Sequence, residues 1–148
     1  MQATTGYSAY RTSAVQIAKP KDEILLMLYD GALRFLRFAS TSLEQRNLAA
    51  KGQYISKTLA IIGELDCALD RNIGGEIAGN LSALYQYMIT RLTQANCQND
   101  AAALDEVATL LHELQQAFAT AVQQQRTTVS IPATTSQAPA SKGLNVAV

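Results

Sequence analysis

Apolar residues recur along this chain at intervals of three and four, the period of one helix face, in four successive stretches. The first runs from about Pro20 to Gln45. Pro20 suits a first helical position, and Asp22 and Glu23 suit the positive end of a helix dipole. The second spans roughly Ala49 to Asp70, with Ile55, Leu59, Ile62 and Leu69 on one stripe, and Gly74-Gly75 then breaks the pattern. The third, from about Glu76 to Ala95, carries Ile77, Leu81, Leu84, Met88, Leu92 and Ala95. After a connection over Asn96 to Asp100, in which Asn99 or Asp100 is a good N-cap, the fourth runs from about Ala101 to Gln125. Its stripe is Leu104, Val107, Leu111, Leu114, Phe118 and Ala121, a heptad spacing. No stretch alternates apolar and polar residues, so no sheet is expected. Four helices with short connections predict an all-α protein, an antiparallel up-down four-helix bundle. Residues 1–19 lack helical periodicity and read as an N-terminal cap segment. Residues 20–126 form the bundle domain, and 127–148, rich in Ser, Thr, Ala and Pro, read as a disordered tail.

The first helix carries more apolar surface than one core needs. A bundle helix usually has one apolar stripe and one polar face, but Ile24-Leu25-Leu26-Met27-Leu28-Tyr29 points large apolar groups in every direction around the axis. Asp30 and Arg34, spaced for a weak i,i+4 pair, lie on a narrow polar strip. Either the helix is central and touched on several sides, or part of it faces outward and binds an apolar partner. Covering four or five such side chains contributes roughly 6–12 kcal/mol before association costs. The candidate binding residues are Ile24, Leu25, Met27 and Leu28, with Tyr7 and Tyr10 of the N-terminal segment. That segment, with Val15 and Ile17, is able to fold back over an apolar groove until a client displaces it; a tail ordered by local packing accounts for the same residues equally well.

Composition narrows the function classes. Twelve Lys+Arg balance twelve Asp+Glu, without the basic excess of a nucleic-acid or anionic-membrane binder. The three prolines, Pro20, Pro132 and Pro139, lie near the ends and leave the helical stretches uninterrupted. Met1 to Thr12 do not resemble a signal peptide, and no apolar run has the length of a membrane span, so membrane insertion is not expected. Cys67 and Cys97 have no metal-ligand spacing and read as reduced core residues. The single histidine, His112, rules out a di-metal site built from Glu-x-x-His pairs and has no local nucleophile motif beside it. The glycines form neither a P-loop nor a GxGxxG turn. No cofactor, metal or catalytic activity is expected.

Three segments together carry a family resemblance. They are Leu26-Met-Leu-Tyr-Asp-Gly-Ala-Leu-Arg-Phe-Leu36, then Gly74-Gly-Glu-Ile-Ala78, then Leu81-x-x-Leu-Tyr-x-Tyr-Met-Ile-x-Arg-Leu-x-x-Ala-Asn96 followed by Asn99-Asp100. In this order, from about Tyr7 to Phe118, they resemble the FliS family, the bacterial flagellin-specific export chaperones. The resemblance implies a cytoplasmic helical bundle, monomeric or weakly dimeric. It further implies apolar grooves that bind the disordered C-terminal segment of flagellin, block premature polymerisation and aid delivery to a component of the flagellar type III export gate. Helix-in-groove recognition with coupled folding suits such a client. Carried over by residue, Tyr10 matches the family's N-terminal tyrosine. Leu28, Tyr29 and Gly31 match the first-helix motif, with Gly31 permitting close helix approach, and Gly74, Gly75 and Glu76 match the turn into the third helix. The chain departs from the family in having Lys19-Pro-Lys-Asp-Glu where many members have Ser-Pro-Glu-Glu, Phe118 where many have Trp, and a long Ser/Thr/Ala tail. Two readings from other classes stand beside this one: a histidine phosphotransfer bundle using His112, and a structural homo-oligomer whose interface is the surplus apolar face.

Overall fold

The computed structural model describes residues 20–147, with side chains described as far as Thr128. Four helices follow one another: α1 (Lys21–Glu44), α2 (Leu48–Cys67), α3 (Arg71–Gln98) and α4 (Ala101–Ala147). Each packs on its neighbours in a closed ring, α1 on α2 and α4, and α3 on α2 and α4, giving an antiparallel up-down bundle whose diagonal helices do not approach closely along their backbones. The N-terminus of α1, the C-terminus of α2 and the start of α3 therefore lie at one end of the molecule, where the packed part of α4 also finishes.

Local chemistry fixes the boundaries. Pro20 is itself the cap of α1, one residue ahead of the helix, and its carbonyl accepts from Glu23 and Ile24 N–H at 3.0 and 3.1 Å. Asn47 caps α2 by accepting from Ala50 N–H at 3.1 Å, and Asp70 caps α3 by accepting from Asn72 and Ile73 N–H. The two candidates at the last turn divide the work. Asn99, in left-handed conformation at φ 53°, closes α3, while the Asp100 carboxylate accepts from Ala103 N–H at 3.2 Å and opens α4. Gly75, at φ 51° and ψ −122°, interrupts α3 where the glycine pair was expected to break the pattern, but a short helical turn precedes it from Arg71.

The core repeats the three-and-four spacing. It is built from Tyr29, Ala32, Leu36 and Ala39 on α1; Ile55, Ile62 and Leu65 on α2; Tyr85, Met88, Leu92 and Ala95 on α3; and Ala103, Leu104, Val107 and Leu111 on α4. Leu59, Leu69, Leu114 and Phe118 pack against its margin. On α3 the phase differs from the expected stripe in its first half. Ala78 and Tyr85 are buried, whereas Ile77 is exposed and Leu84 is only partly covered. The cause is Tyr85, whose hydroxyl bonds to that of Tyr29 across the core and sets which face of α3 turns inward. On α4 the stripe fades toward the bundle end, where Ala121 is exposed.

Two expected contacts are replaced. Cys67 and Cys97 are exposed rather than buried, because Cys67 is the last residue of α2 and Cys97 lies in the last turn of α3. Asp30, spaced for a pair with Arg34, instead accepts a hydrogen bond from the Gln115 side chain and ties α1 to α4. Residues 123–128 are all exposed, and the helix of α4 continues to Ala147.

Candidate functional site

At the end of the bundle where α1 begins, the core opens into a groove of about 330 Å³. Its apolar walls are Ile24, Leu25 and Leu28 from α1, Leu65 and Leu69 from α2 and the turn after it, and Phe118 from α4, with Tyr85 of α3 on its floor. The polar side chains Lys21, Asp22 and Asp70 stand at its lip. The groove exists because four helices ending at one level leave their last apolar layer open among the described residues. α1 contributes most, since successive residues Ile24 and Leu25 both reach it.

Ile24 is 47% exposed and Leu25 and Leu28 are partly buried, so three of the six candidate residues converge here. Met27, 52% exposed, is not part of the groove lining; one residue before Leu28, it projects about 100° away around the helix. Tyr7 and Tyr10 lie outside the described residues. Leu65, Leu69, Tyr85 and Phe118 complete the site. Leu69 and Phe118 stood on predicted stripes, and their position at the last layer, beside a bundle end, is the signal that points to the groove.

Beneath the groove, the Tyr29 and Tyr85 hydroxyls are hydrogen-bonded to each other, and the Tyr29 ring lies 5.6 Å from that of Phe118. Burial, and then the bond to Tyr85, push the Tyr29 hydroxyl well above the ordinary tyrosine range; burial likewise raises Tyr85. Both stay neutral under physiological conditions, and the site presents hydrocarbon with one neutral polar pair at its base. Gly31 allows α1 and α2 to approach closely, since a Cβ there would lie 3.3 Å from Ile61 Cδ1. The groove walls are braced by Gln86 donating to Asp66 at 3.1 Å between α3 and α2, and by an Arg126–Glu23 ion pair at 3.4 Å between α4 and α1.

His112 is exposed on the α1–α4 seam, in a separate shallow groove of about 530 Å³ with Arg37, Ser40, Asp105 and Glu113. Among the described residues no group of His, Cys, Asp and Glu is arranged to hold a metal ion, and no helix is long and apolar enough to cross a membrane.

Fold and groove thus define a class: a small helical bundle whose distinctive surface is an open apolar groove with a polar lip. The family model described as flagellar protein FliS matches residues 3–125. The flagellar secretion chaperone FliS of Salmonella typhimurium is 46% identical over 123 residues, covering 80% of this chain and 90% of that protein. That of Bacillus subtilis is 38% identical over 120 residues, covering 81% and 88%. A solved structure described as a flagellar chaperone from bacteria superposes with a TM-score of 0.67, covering 82% of this chain and 98% of the other at 16% identity, and shows the shared fold. The chain belongs to the FliS family of flagellar secretion chaperones. Its relatives are named as chaperones, with no catalytic activity indicated, and neither the phosphotransfer nor the structural-oligomer reading is favoured.

Proposed function

We propose that this chain is a cytoplasmic chaperone of flagellin that takes the disordered C-terminal region of its client into the bundle-end groove. It thereby holds flagellin unpolymerised and presents it to the flagellar export gate. The observation that carries this reading is the apolar groove that Ile24, Leu25, Leu28, Leu65, Leu69 and Phe118 form among the described residues. A folded domain that leaves such a layer open at its end carries a surface that an apolar segment covers at a gain in free energy. A disordered client folding there as an amphipathic helix supplies apolar side chains at i, i+3 and i+4. The braced walls keep the groove formed before the client arrives, which lowers the ordering cost of association.

Calorimetric titration with the C-terminal segment of flagellin from the same organism tests the reading. One-to-one binding with a large negative heat-capacity change and a gain in helicity is expected. Ile24→Asp places a charge on a half-exposed groove wall and should weaken binding more than tenfold while leaving the melting curve nearly unchanged. Absence of binding by the unmodified chain removes the proposed function.

A further inference from the structure

We propose that residues 70–77 form a hinged flap beside the groove, and that Ile73 and Ile77 close onto the bound client segment. This rests on the proposed function, since the flap's occupant is the client of the same groove.

The flap has a rigid part, a joint and a latch. Asp70 caps the turn Arg71–Gly74 by accepting from Asn72 and Ile73 N–H at 3.0 and 3.1 Å, and the Asp70 carbonyl accepts from Gly74 N–H at 2.8 Å. The turn therefore moves as a unit. The joint is Gly75, in a backbone conformation that residues with a side chain rarely adopt; a Cβ there would meet nothing within 4 Å, whereas one on Gly74 would lie 2.8 Å from Ala78 Cβ, so the turn rests against α3 through the missing side chain of Gly74. The latch is a side-chain hydrogen bond across the joint, Arg71 Nη2 to Ser82 Oγ at 3.0 Å. Leu69 and Asp70, at the root of the flap, are groove residues.

Ile73 is 87% exposed and Ile77 70%, the two most exposed large apolar side chains among the described residues. They flank the joint, and the core phase of α3 passes them by, since Ala78 and Tyr85 take the inward face. Two isoleucines fall far short of the ~800 Å² per partner that a stable dimer interface buries, so a second copy does not account for them. A groove of about 330 Å³ seats a few apolar side chains of a longer segment. The chain runs from groove residues Leu69 and Asp70 directly into the flap, so its two isoleucines follow the groove within a few residues.

Ile73→Ala with Ile77→Ala tests this, because both side chains are largely exposed and alanine favours the helix. Titration with the flagellin C-terminal segment should show the dissociation constant raised about tenfold or more, chiefly through faster dissociation. In the unmodified chain, hydrogen exchange at the amides of residues 71–77 should slow on client binding. This readout is independent of the variant's folding. Binding by the double variant within twofold of the unmodified chain overturns the flap and leaves the proposed function standing, as does unchanged exchange over 71–77 in a chain that binds. A dimer of the unmodified chain that the double variant dissociates assigns the two side chains to a second copy and also overturns the flap. An unmodified chain that does not bind the segment at all overturns both readings.

Discussion

The hydrogen-bonded pair Tyr29–Tyr85 makes a prediction in which two single mutations cost more than their combination. Tyr29 is 0% and Tyr85 1% exposed, so each hydroxyl is removed from bulk water and has the other as its partner. Removing one partner leaves the other with an unmet bond, at about 1–3 kcal/mol, whereas removing both leaves phenyl rings of nearly the same shape at about 0–1 kcal/mol. The two singles should differ. Tyr85 lines the groove and Tyr29 does not, so in Tyr29→Phe the remaining hydroxyl regains a water from the groove and the cost falls near 1 kcal/mol. In Tyr85→Phe the remaining hydroxyl is sealed in the core and the cost approaches 3 kcal/mol. At about 4 °C per kcal/mol for a bundle of this length, the melting temperature should fall by about 4 °C, about 12 °C and less than 4 °C for Tyr29→Phe, Tyr85→Phe and the double variant. Urea unfolding followed by circular dichroism completes the double-mutant cycle. The pH dependence has a definite sign. The folded state raises the Tyr29 hydroxyl above its ordinary value, so its contribution is fully present below about pH 10 and is lost as pH rises beyond it, where the unfolded chain ionises first. The double variant should show a shallower alkaline limb. Additive single effects, or a double variant less stable than Tyr85→Phe, would refute the reasoning.

Lys51 is 3% exposed, and its ammonium donates to the Asn96 carbonyl at 2.8 Å in the last turn of α3 and to the Asn99 side chain. Lys51→Met should therefore cost about 2 kcal/mol in urea unfolding, and a variant at least as stable as the parent would mean that dehydration of the ammonium outweighs these bonds. Glu106 accepts from the Tyr87 hydroxyl and pairs with Arg91 at 2.9 Å; the tyrosine bond first, and then the guanidinium, hold its carboxyl below the usual glutamate range. Its contribution is present above about pH 4.3 and is lost as pH falls through the lower folded value, so Glu106→Gln should flatten the acid limb of urea midpoints below pH 4; an unchanged slope removes Glu106 from that limb. Gly31→Ala should change stability by less than about 1 kcal/mol, because only the tip of Ile61 must yield, while Gly31→Leu should lower the melting temperature by about 8 °C or more by forcing α1 from α2.

How much of this was legible depends on what each residue type can signal alone. Ile55, Ile62, Leu104, Val107 and Leu111 were readable as core because aliphatic side chains at three-and-four spacing have one favourable place to go. The surplus apolar surface of α1 was readable too, as hydrocarbon in excess of one face. Tyr85 was not, since a tyrosine one position from a leucine is ambiguous until a partner for its hydroxyl is known, and that partner lies 56 residues away. Choosing Leu84 over Tyr85 shifted the expected stripe and placed Ile77 inside. Lys51 hid for the same reason: its burial depends on a carbonyl at the end of another helix, which no local pattern reveals.

The misplacement on α3 is the one that touches the site. Tyr85 fixes the inward face of α3, and that same choice turns Ile77 outward and leaves Ala78 as the small residue beneath the break at Gly75. Had Leu84 and Ile77 taken the inward face, the end layer of the bundle would have gained an isoleucine and the segment around Gly75 would have kept only Ile73 exposed. The polar pair at the groove floor thus governs more than its own bond. It goes with the rotation of α3 that leaves Ile77 exposed among the described residues and sets Tyr85 at the base of the groove.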